Sequence, residues 1–566
     1  MINCHISSPN PLTHLLHIEL KLKVKSLPTL ELILPTWRPG RYELAPFAEN
    51  IQRFSATDRN GSALTWRKSR PNKWLIDTAG IDLLVVRYQY YANKMDAGNS
   101  VLDDSQVYIN FINCIFYTAL HDNQQISLQV DLPKGYLTSC SMLKTDEGLL
   151  LAENYQQLAD SPLLASPNLK TLTYSIDKYR FNIVFNGEFP LDESQILKDF
   201  KKFTACQIAA MGGFPTRIYD FIVQSLDYAH YHGVEHQNST VLVLGPNDES
   251  SSSEYFHKLM GVASHELFHT WNVTRIRPME MSPYRFDEET MTESGFVTEG
   301  FTTYYGDLFL AQSGVLTQNG YFKELNALFK RHFENYGRHE SSLIQASANL
   351  WVDGYKNLFP SKKVSIYVKG ALCALILDLK ISEATNNQSR LIDVLKSLYE
   401  NHTYQKGGYS REQVYAIIST IGGESVNALL ATLYESTVCL STLLGDALAY
   451  VGCEFSKICH PEECTSKLGI KANGAEIVEI APGSIAEEYL SVGDSIIKIN
   501  GENYSNLGVK LKNNNEFEIK RGSKSIVMNI ATVEQRYYDS YEISLSPKTT
   551  AIQRENLSHW LGINRE

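Results

Sequence analysis

Residues 264–272 read SHELFHTWN, and the reading of this run decides how the rest of the chain is understood. On a helix, side chains four apart share a face, so His265 and His269 can hold one metal ion while Glu266 stands beside it. Two imidazoles and a third protein ligand leave a zinc ion one position for water. The ion lowers the pKa of that water to about 7, which makes hydroxide available at neutral pH. In that pattern Glu266 is the general base and not a ligand. The pattern is short, and a surface helix that carries two histidines would satisfy it, so its meaning depends on a third ligand further along the chain.

About thirty residues later, MTESGFVTEGFTTYYGDLFLAQSG (Met291 to Gly314) has apolar and aromatic residues at helical spacing from Phe301 through Leu310. Glu299 falls in the first turn of this expected helix, where a carboxylate can complete a His, His, Glu set. The rival third ligand is Glu293, which precedes the periodic segment and sits beside Ser294 and Gly295, a loop-like context. Catalytic ligands need a rigid element, which favours Glu299. A solvated acid at a helix start is the plainer reading of Glu299.

Upstream, GVEHQNSTVLVLG (Gly233 to Gly245) joins a glycine and a carboxylate to a β-branched run, as expected of a turn entering a strand at a sheet edge. An extended peptide can add to such an edge, and Glu235 there can meet a cationic amino terminus. Gly233 and Glu235 are therefore the candidate substrate-binding pair, against the alternative that Glu235 and His236 face solvent in a turn. Asn272 and Asp307 are candidates to orient the ligating imidazoles. Arg275 and Arg277 suit either a substrate carboxylate or a bracing role.

Four stretches, SHELFHTWNVTRIRP, TEGFTTYYGD, GRHESSLIQAS and SIYVKGALCALILDLKI, resemble the zinc peptidase family typified by glycyl aminopeptidase. That resemblance implies a thermolysin-like catalytic domain joined to a PDZ domain, one catalytic zinc ion, and peptide substrates with a free amino terminus and a small first residue, glycine or alanine. It also implies that Tyr367, in the word formed with Lys369, Gly370 and Ala371, stabilises the oxyanion. Donors in such sites contribute about 3 to 4 kcal/mol. Composition alone, with 32 tyrosines, reads Tyr367 as a core residue. The chain is similar, more distantly, to the aminopeptidase N and leukotriene hydrolase group. Here an insertion bearing Arg275, Arg277, Pro278 and Pro283 lengthens the step from the second histidine to Glu299.

The 566 residues are 43% hydrophobic, enough for three or more domains with their own cores, and the net charge of -11 argues against nucleic acid. No run approaches a transmembrane helix, and MINCHISSPNPLTH lacks the pattern of a secretory signal, so a cytoplasmic protein is expected. Nine scattered cysteines suit free thiols in a reducing compartment. Cys453, Cys459, His460 and Cys464 lie close in sequence, yet their spacing matches no paired zinc pattern and loop thiols are the simpler reading.

The expected architecture is multidomain α+β. Short β-branched and aromatic runs such as LHIELKLKV, LELILP and LVVRYQYYA predict an N-terminal β-sandwich over 1–180. An α-rich, thermolysin-like zinc peptidase domain is expected over 181–450. The words APGSIAEE and VGDSIIKINGE resemble a PDZ domain, placed at 451–540, with a hairpin turn at Asn500 and Gly501 and a carboxylate-binding loop at Leu468, Gly469 and Ile470. Residues 541–566 read as a C-terminal tail. The activity expected is removal of small amino-terminal residues. An endopeptidase or dipeptidase, or a silent scaffold that holds peptide tails in its PDZ groove, are the alternatives.

Overall fold

A computed structural model describes residues 2–24, 27–119, 123–248, 252–356, 361–505 and 508–562. The chain forms two compact units, Met1–Met291 with Leu398–Tyr409, and Thr292–Ser397 with Ser410–Glu566. Among the described residues no helix is long and apolar enough to cross a membrane.

The first unit begins as the alternating runs demand. In Leu15–Lys23 the residues Leu16, Ile18, Leu20 and Leu22 are buried, and they sit opposite Tyr90, Tyr88, Val86 and Leu84 of Leu83–Tyr91. This period of two gives the strand one core face and one wet face. Seven such strands form one sheet, and a four-stranded and a three-stranded sheet complete the β-rich domain. Leu32, Trp74 and Ile76 of the three-stranded sheet and Val107 and Ile109 of the four-stranded sheet share one core with the seven-stranded sheet. Each fully buried aliphatic side chain there contributes roughly 1.5–3 kcal/mol.

The second sheet system of this unit positions the chemistry. Its order is Lys170–Ile176, Tyr179–Asn186, Ile218–Ser225, Ser239–Gly245 and His230–Glu235. A domain boundary at 180 would cut the hairpin between the first two strands. The hairpin pairs onward with Ile218–Ser225, so the β-rich domain ends before Lys170. The helix Glu193–Met211 is capped at its start by Asp192 and stops at Gly212, whose φ of 77° suits the left-handed cap. Its Gln207 Nε2 donates to the Ser264 carbonyl at 2.9 Å, which ties it to the helix Ser252–Phe268 that carries SHELF.

In the second unit a π-helical turn, Phe296–Phe301, runs into the helix Thr302–Gln312, beside the long apolar helix Ile366–Ala384. Ile470–Asn473, Glu476–Ile480, Ser495–Ile499, Asn514–Arg521 and Lys524–Ala531 build a further antiparallel sheet, with the short strand Glu502–Asn503 closing a hairpin on Ser495–Ile499. Asn500 and Gly501, at φ 54° and 82°, make its two-residue turn as the sequence predicts. The expected tail is a correction. Ser540–Leu545 pairs with Cys453–Ile458, and Ala551–Leu561 is a capped helix that buries Trp560 and Leu561.

Candidate active site

His265 lies in the last turn of Ser252–Phe268, and His269 continues it by one turn, its amide donating to the His265 carbonyl at 3.3 Å. The ring Nδ1 of His269 is 2.8 Å from the Asn272 carbonyl. A carbonyl only accepts, so Nδ1 carries the proton and Nε2 keeps a lone pair. That lone pair points at His265 Nε2, 3.1 Å away. Burial, reinforced by His269, holds the His265 imidazole neutral, the form that ligates. Two ring nitrogens of buried imidazoles brought this close together are what a divalent ion such as zinc requires of its ligands, and the residues present fit it. The orienting role expected of Asn272 is filled by its main chain.

Glu266 is buried beside the edge strand His230–Glu235. A Cβ built on Gly233 would stand 2.2 Å from Glu266 Oε1, so only glycine lets this strand lie against the carboxylate. Glu235, on the same face two residues on, offers an atom that lies with those of Glu266 and His269 in a group spanning no more than 4.8 Å. Glu235 is not the solvent-facing turn residue of the plainer reading, being 5% exposed. The expected turn entering an edge strand is corrected: Gly233 and Glu235 lie in the outermost strand itself, and the β-branched run that follows, Ser239–Gly245, is paired on both sides.

Sequence reasoning missed the floor of this site. Gly40, in the turn WRPGRY and with φ 79°, sits under Glu235; a Cβ there would come within 2.3 Å of Oε2. Beside it Arg38 stacks on Gly98 and reaches His232 at 3.3 Å, and Asp96 lies 3.9 Å from the other ring nitrogen. Burial and the Arg38 charge push the His232 pKa down to about 4. Only a glycine after proline in a Trp-Arg-Pro-Gly turn hinted at a close approach. Arg275 braces the site, donating to the carbonyls of Gln237 at 3.0 Å and Thr270 at 2.7 Å. The Arg277 guanidinium packs 3.6 Å over the Tyr284 ring.

The second unit carries the other two predicted residues. Glu299 is 2% exposed within the π turn, so it is not a solvated helix-start acid. Glu293, its rival, is half exposed and paired with Arg411 at 2.8 Å. Gly300 lies directly on Gly370 of the long apolar helix: a Cβ on either would meet the other's Cα at 2.6 or 2.8 Å. Tyr367 stands in the first turn of that helix, its hydroxyl 3.4 Å from that of Tyr355. Asp307 belongs to Thr302–Gln312, and its charge adds to the burial that raises the pKa of Tyr321. Among the described residues Cys453, Cys459, His460 and Cys464 form no group with metal-ligand spacing.

A helix bearing HExxH against a carboxylate-lined edge strand, in a chain with a β-rich domain before it and a PDZ domain after it, defines a peptidase of the thermolysin-like class. Residues 3–167 match the profile of the Peptidase M61 N-terminal domain, 258–373 that of the M61 glycyl aminopeptidase, and 461–528 that of the PDZ domain. The chain belongs to the M61 peptidase family and is a hydrolase. Its fold is that of an aminopeptidase N family protein from Idiomarina loihiensis, with TM-score 0.90 and 23% identity over 99% of this chain and 100% of that one. An M1 zinc metallopeptidase from Deinococcus radiodurans aligns at TM-score 0.48 and 16% identity, covering 77% of this chain and 94% of its own. Native yeast LTA4 hydrolase aligns at 0.47 and 14%, covering 77% and 68%. No curated protein matches.

Proposed function

We propose that the protein is a zinc-dependent aminopeptidase that removes small residues, glycine or alanine first, from peptides. The observation that carries this reading is the distance from Glu235 to the reaction machinery. An anchor for the α-ammonium grouped within 4.8 Å with Glu266 and His269 leaves room for one residue, so the bond presented for attack is the first peptide bond. Two carboxylates on this face suit a cation, and an acetylated amine would lose that pairing. The preference for glycine and alanine rests on the family resemblance.

His265, His269 and Glu299 would hold one zinc ion. Support comes from the convergent ring nitrogens and from the burial of the Glu299 carboxylate on a turn locked by the Gly300–Gly370 contact. When bound, zinc supplies Lewis acidity toward the carbonyl and acidifies the water. Glu266 takes the proton from the attacking water and passes it to the leaving amine. Tyr367 donates to the oxygen on which charge develops. The substrate backbone adds as a strand along His230–Glu235, where Gly233 leaves the approach open. The nine cysteines are all free thiols, which supports a reducing, cytoplasmic setting. Peptide tails at the PDZ groove would be a separate, non-catalytic interaction.

The test is hydrolysis of glycyl 4-nitroanilide beside its N-acetyl form, by the zinc-loaded protein. Cleavage of the free-amine substrate alone is expected. Equal cleavage of both would remove Glu235 from the amine role and leave an endopeptidase.

A further inference from the structure

We infer that Arg38 is a positioning residue for recognition of the substrate's amino group: it straps the turn 38–41 of the β-rich domain to the edge strand and so fixes the carboxylate of Glu235. This deepens the aminopeptidase reading and rests on Glu235 as the amine anchor. Arg38, Pro39, Gly40 and Arg41 form a tight turn in which the Arg41 amide donates to the Arg38 carbonyl at 3.3 Å. Proline at the second place and a glycine with φ 79° at the third are what a type II turn demands. A Cβ on Gly40 would meet Glu235 Oε2 at 2.3 Å and Oε1 at 3.0 Å, so the bare Cα of the turn lies across the whole carboxylate. Where the turn sits therefore decides where the anchor sits.

Arg38 holds the turn in its place. The residue is buried, and its guanidinium is a planar fork whose donors leave in fixed directions. Nη1 donates to the Pro39 carbonyl inside the turn at 3.1 Å, and Nη2 lies 3.3 Å from His232 Nε2, three residues before Glu235 on the edge strand. A guanidinium cannot accept, so the imidazole nitrogen does. One side chain thus joins the turn to the strand on which the anchor stands. The remaining side of the fork is closed by Gly98, where a Cβ would collide with Nε, Cζ and Nη2. The loop that carries Gly98 is tied by Asp96, whose Oδ1 accepts from the Gly98 amide at 2.7 Å and whose Oδ2 accepts from Asn99 Nδ2 at 2.6 Å. Asp96 also supplies the negative charge that a buried guanidinium needs, and it stands 3.9 Å from His232 Nδ1. Arg38 cannot bind the substrate amine itself, since both are cations. Its part is to hold the Glu235 carboxylate within the roughly 0.5 Å that a productive contact with that amine requires.

The experiment measures competitive inhibition of glycyl 4-nitroanilide hydrolysis by glycine hydroxamate and by acetohydroxamate, with the zinc-loaded full chain. The two inhibitors share the hydroxamate and differ by the amino group, so the ratio of their inhibition constants reads the amine contact. In the wild type the expected ratio is about thirtyfold in favour of glycine hydroxamate, the scale of a hydrogen bond between charged groups. In Arg38→Met it should fall to about threefold, because the carboxylate is displaced. The ratio is internal to each preparation, so a loosened fold that only lowers the active fraction leaves it unchanged. Arg38→Lys guards against a failure of Arg38→Met to fold: it keeps the buried charge beside Asp96 but not the fork, and its ratio should fall as well. A wild-type ratio retained in either variant overturns the inference while leaving the aminopeptidase standing. A ratio of about one in the wild type removes Glu235 from the amine role, and this inference with it.

Discussion

Glu266 is held by a contact that depends on the absence of an atom. The HExxH spacing made its place beside the two histidines legible, because helical periodicity alone sets His265 and His269 on one face. What the spacing could not tell is that a Cβ on Gly233, in a strand, would lie only 2.2 Å from its carboxylate. Two variants separate the chemical role from the positional one. Glu266→Gln removes the base but keeps the shape, and should retain zinc while turnover falls about a thousandfold; turnover near wild type would exclude Glu266 as base. Gly233→Ala leaves the base but displaces it, and about a hundredfold loss is expected from a misplacement near 1 Å. Metal content by atomic absorption should be unchanged in both. Gly40 and Arg38 remained illegible because their partners, Glu235 and His232, are remote in sequence, and no local pattern encodes a long-range approach.

At the scale of elements, the helix predicted from Phe301 to Leu310 is present, but the turn that bears Glu299 is π-helical. Periodicity over two turns does not distinguish these windings, and single π turns recur at functional sites. What fixes the turn is the Gly300–Gly370 contact, legible only as two glycines in separate apolar segments. Gly300→Ala places a Cβ 2.6 Å from the Gly370 Cα and 3.1 Å from the Ile366 carbonyl. Backbone cannot yield as a side-chain tip does, so a loss of about 1–3 kcal/mol is expected. Denaturant melts measure that loss. A competition titration should show weaker zinc binding if Glu299 is a ligand, and unchanged affinity would argue against it. The edge strand gives a pH prediction. His232, with a folded pKa near 4 against an ordinary value of 6.5, takes up its proton in the unfolded chain first. Stability therefore falls as pH drops from about 6.5 to 4 and levels off below, where both states are protonated. His232→Gln should flatten that part of the melting curve against pH. An unchanged slope would assign the loss to other groups.

At the scale of the whole chain, composition and word patterns made the order of domains legible, while the ends of domains were not, since pairing and packing set them. The hairpin at Lys170–Asn186 reads locally as one more pair of sandwich strands, and only its onward pairing assigns it elsewhere. The last residues read as a tail because a single short amphipathic helix carries little signal of its own. Within the second unit that helix is tied in by polar contacts that sequence does not announce. Asp378, fully buried on the long apolar helix, accepts from Tyr304 at 2.6 Å and from the Leu391 amide at 2.9 Å, and is paired with Arg390. Trp560 joins this network by donating from Nε1 to the Tyr304 hydroxyl at 3.0 Å, while its carbonyl accepts from Gln312 at 2.8 Å. Tyr304 lies on the helix that continues from the Glu299 turn, so the C-terminal helix supports the element that carries a proposed ligand. Trp560→Ala should cost about 3–5 kcal/mol, as expected for a buried aromatic lost to a cavity, and should lower the melting temperature seen by far-ultraviolet circular dichroism. Trp560→Phe, which keeps most of the ring volume and loses the hydrogen bond, should cost about 1–2 kcal/mol. If both variants melt with wild type, the helix is an appendage, and the tail expected from sequence describes these residues better than the packing does.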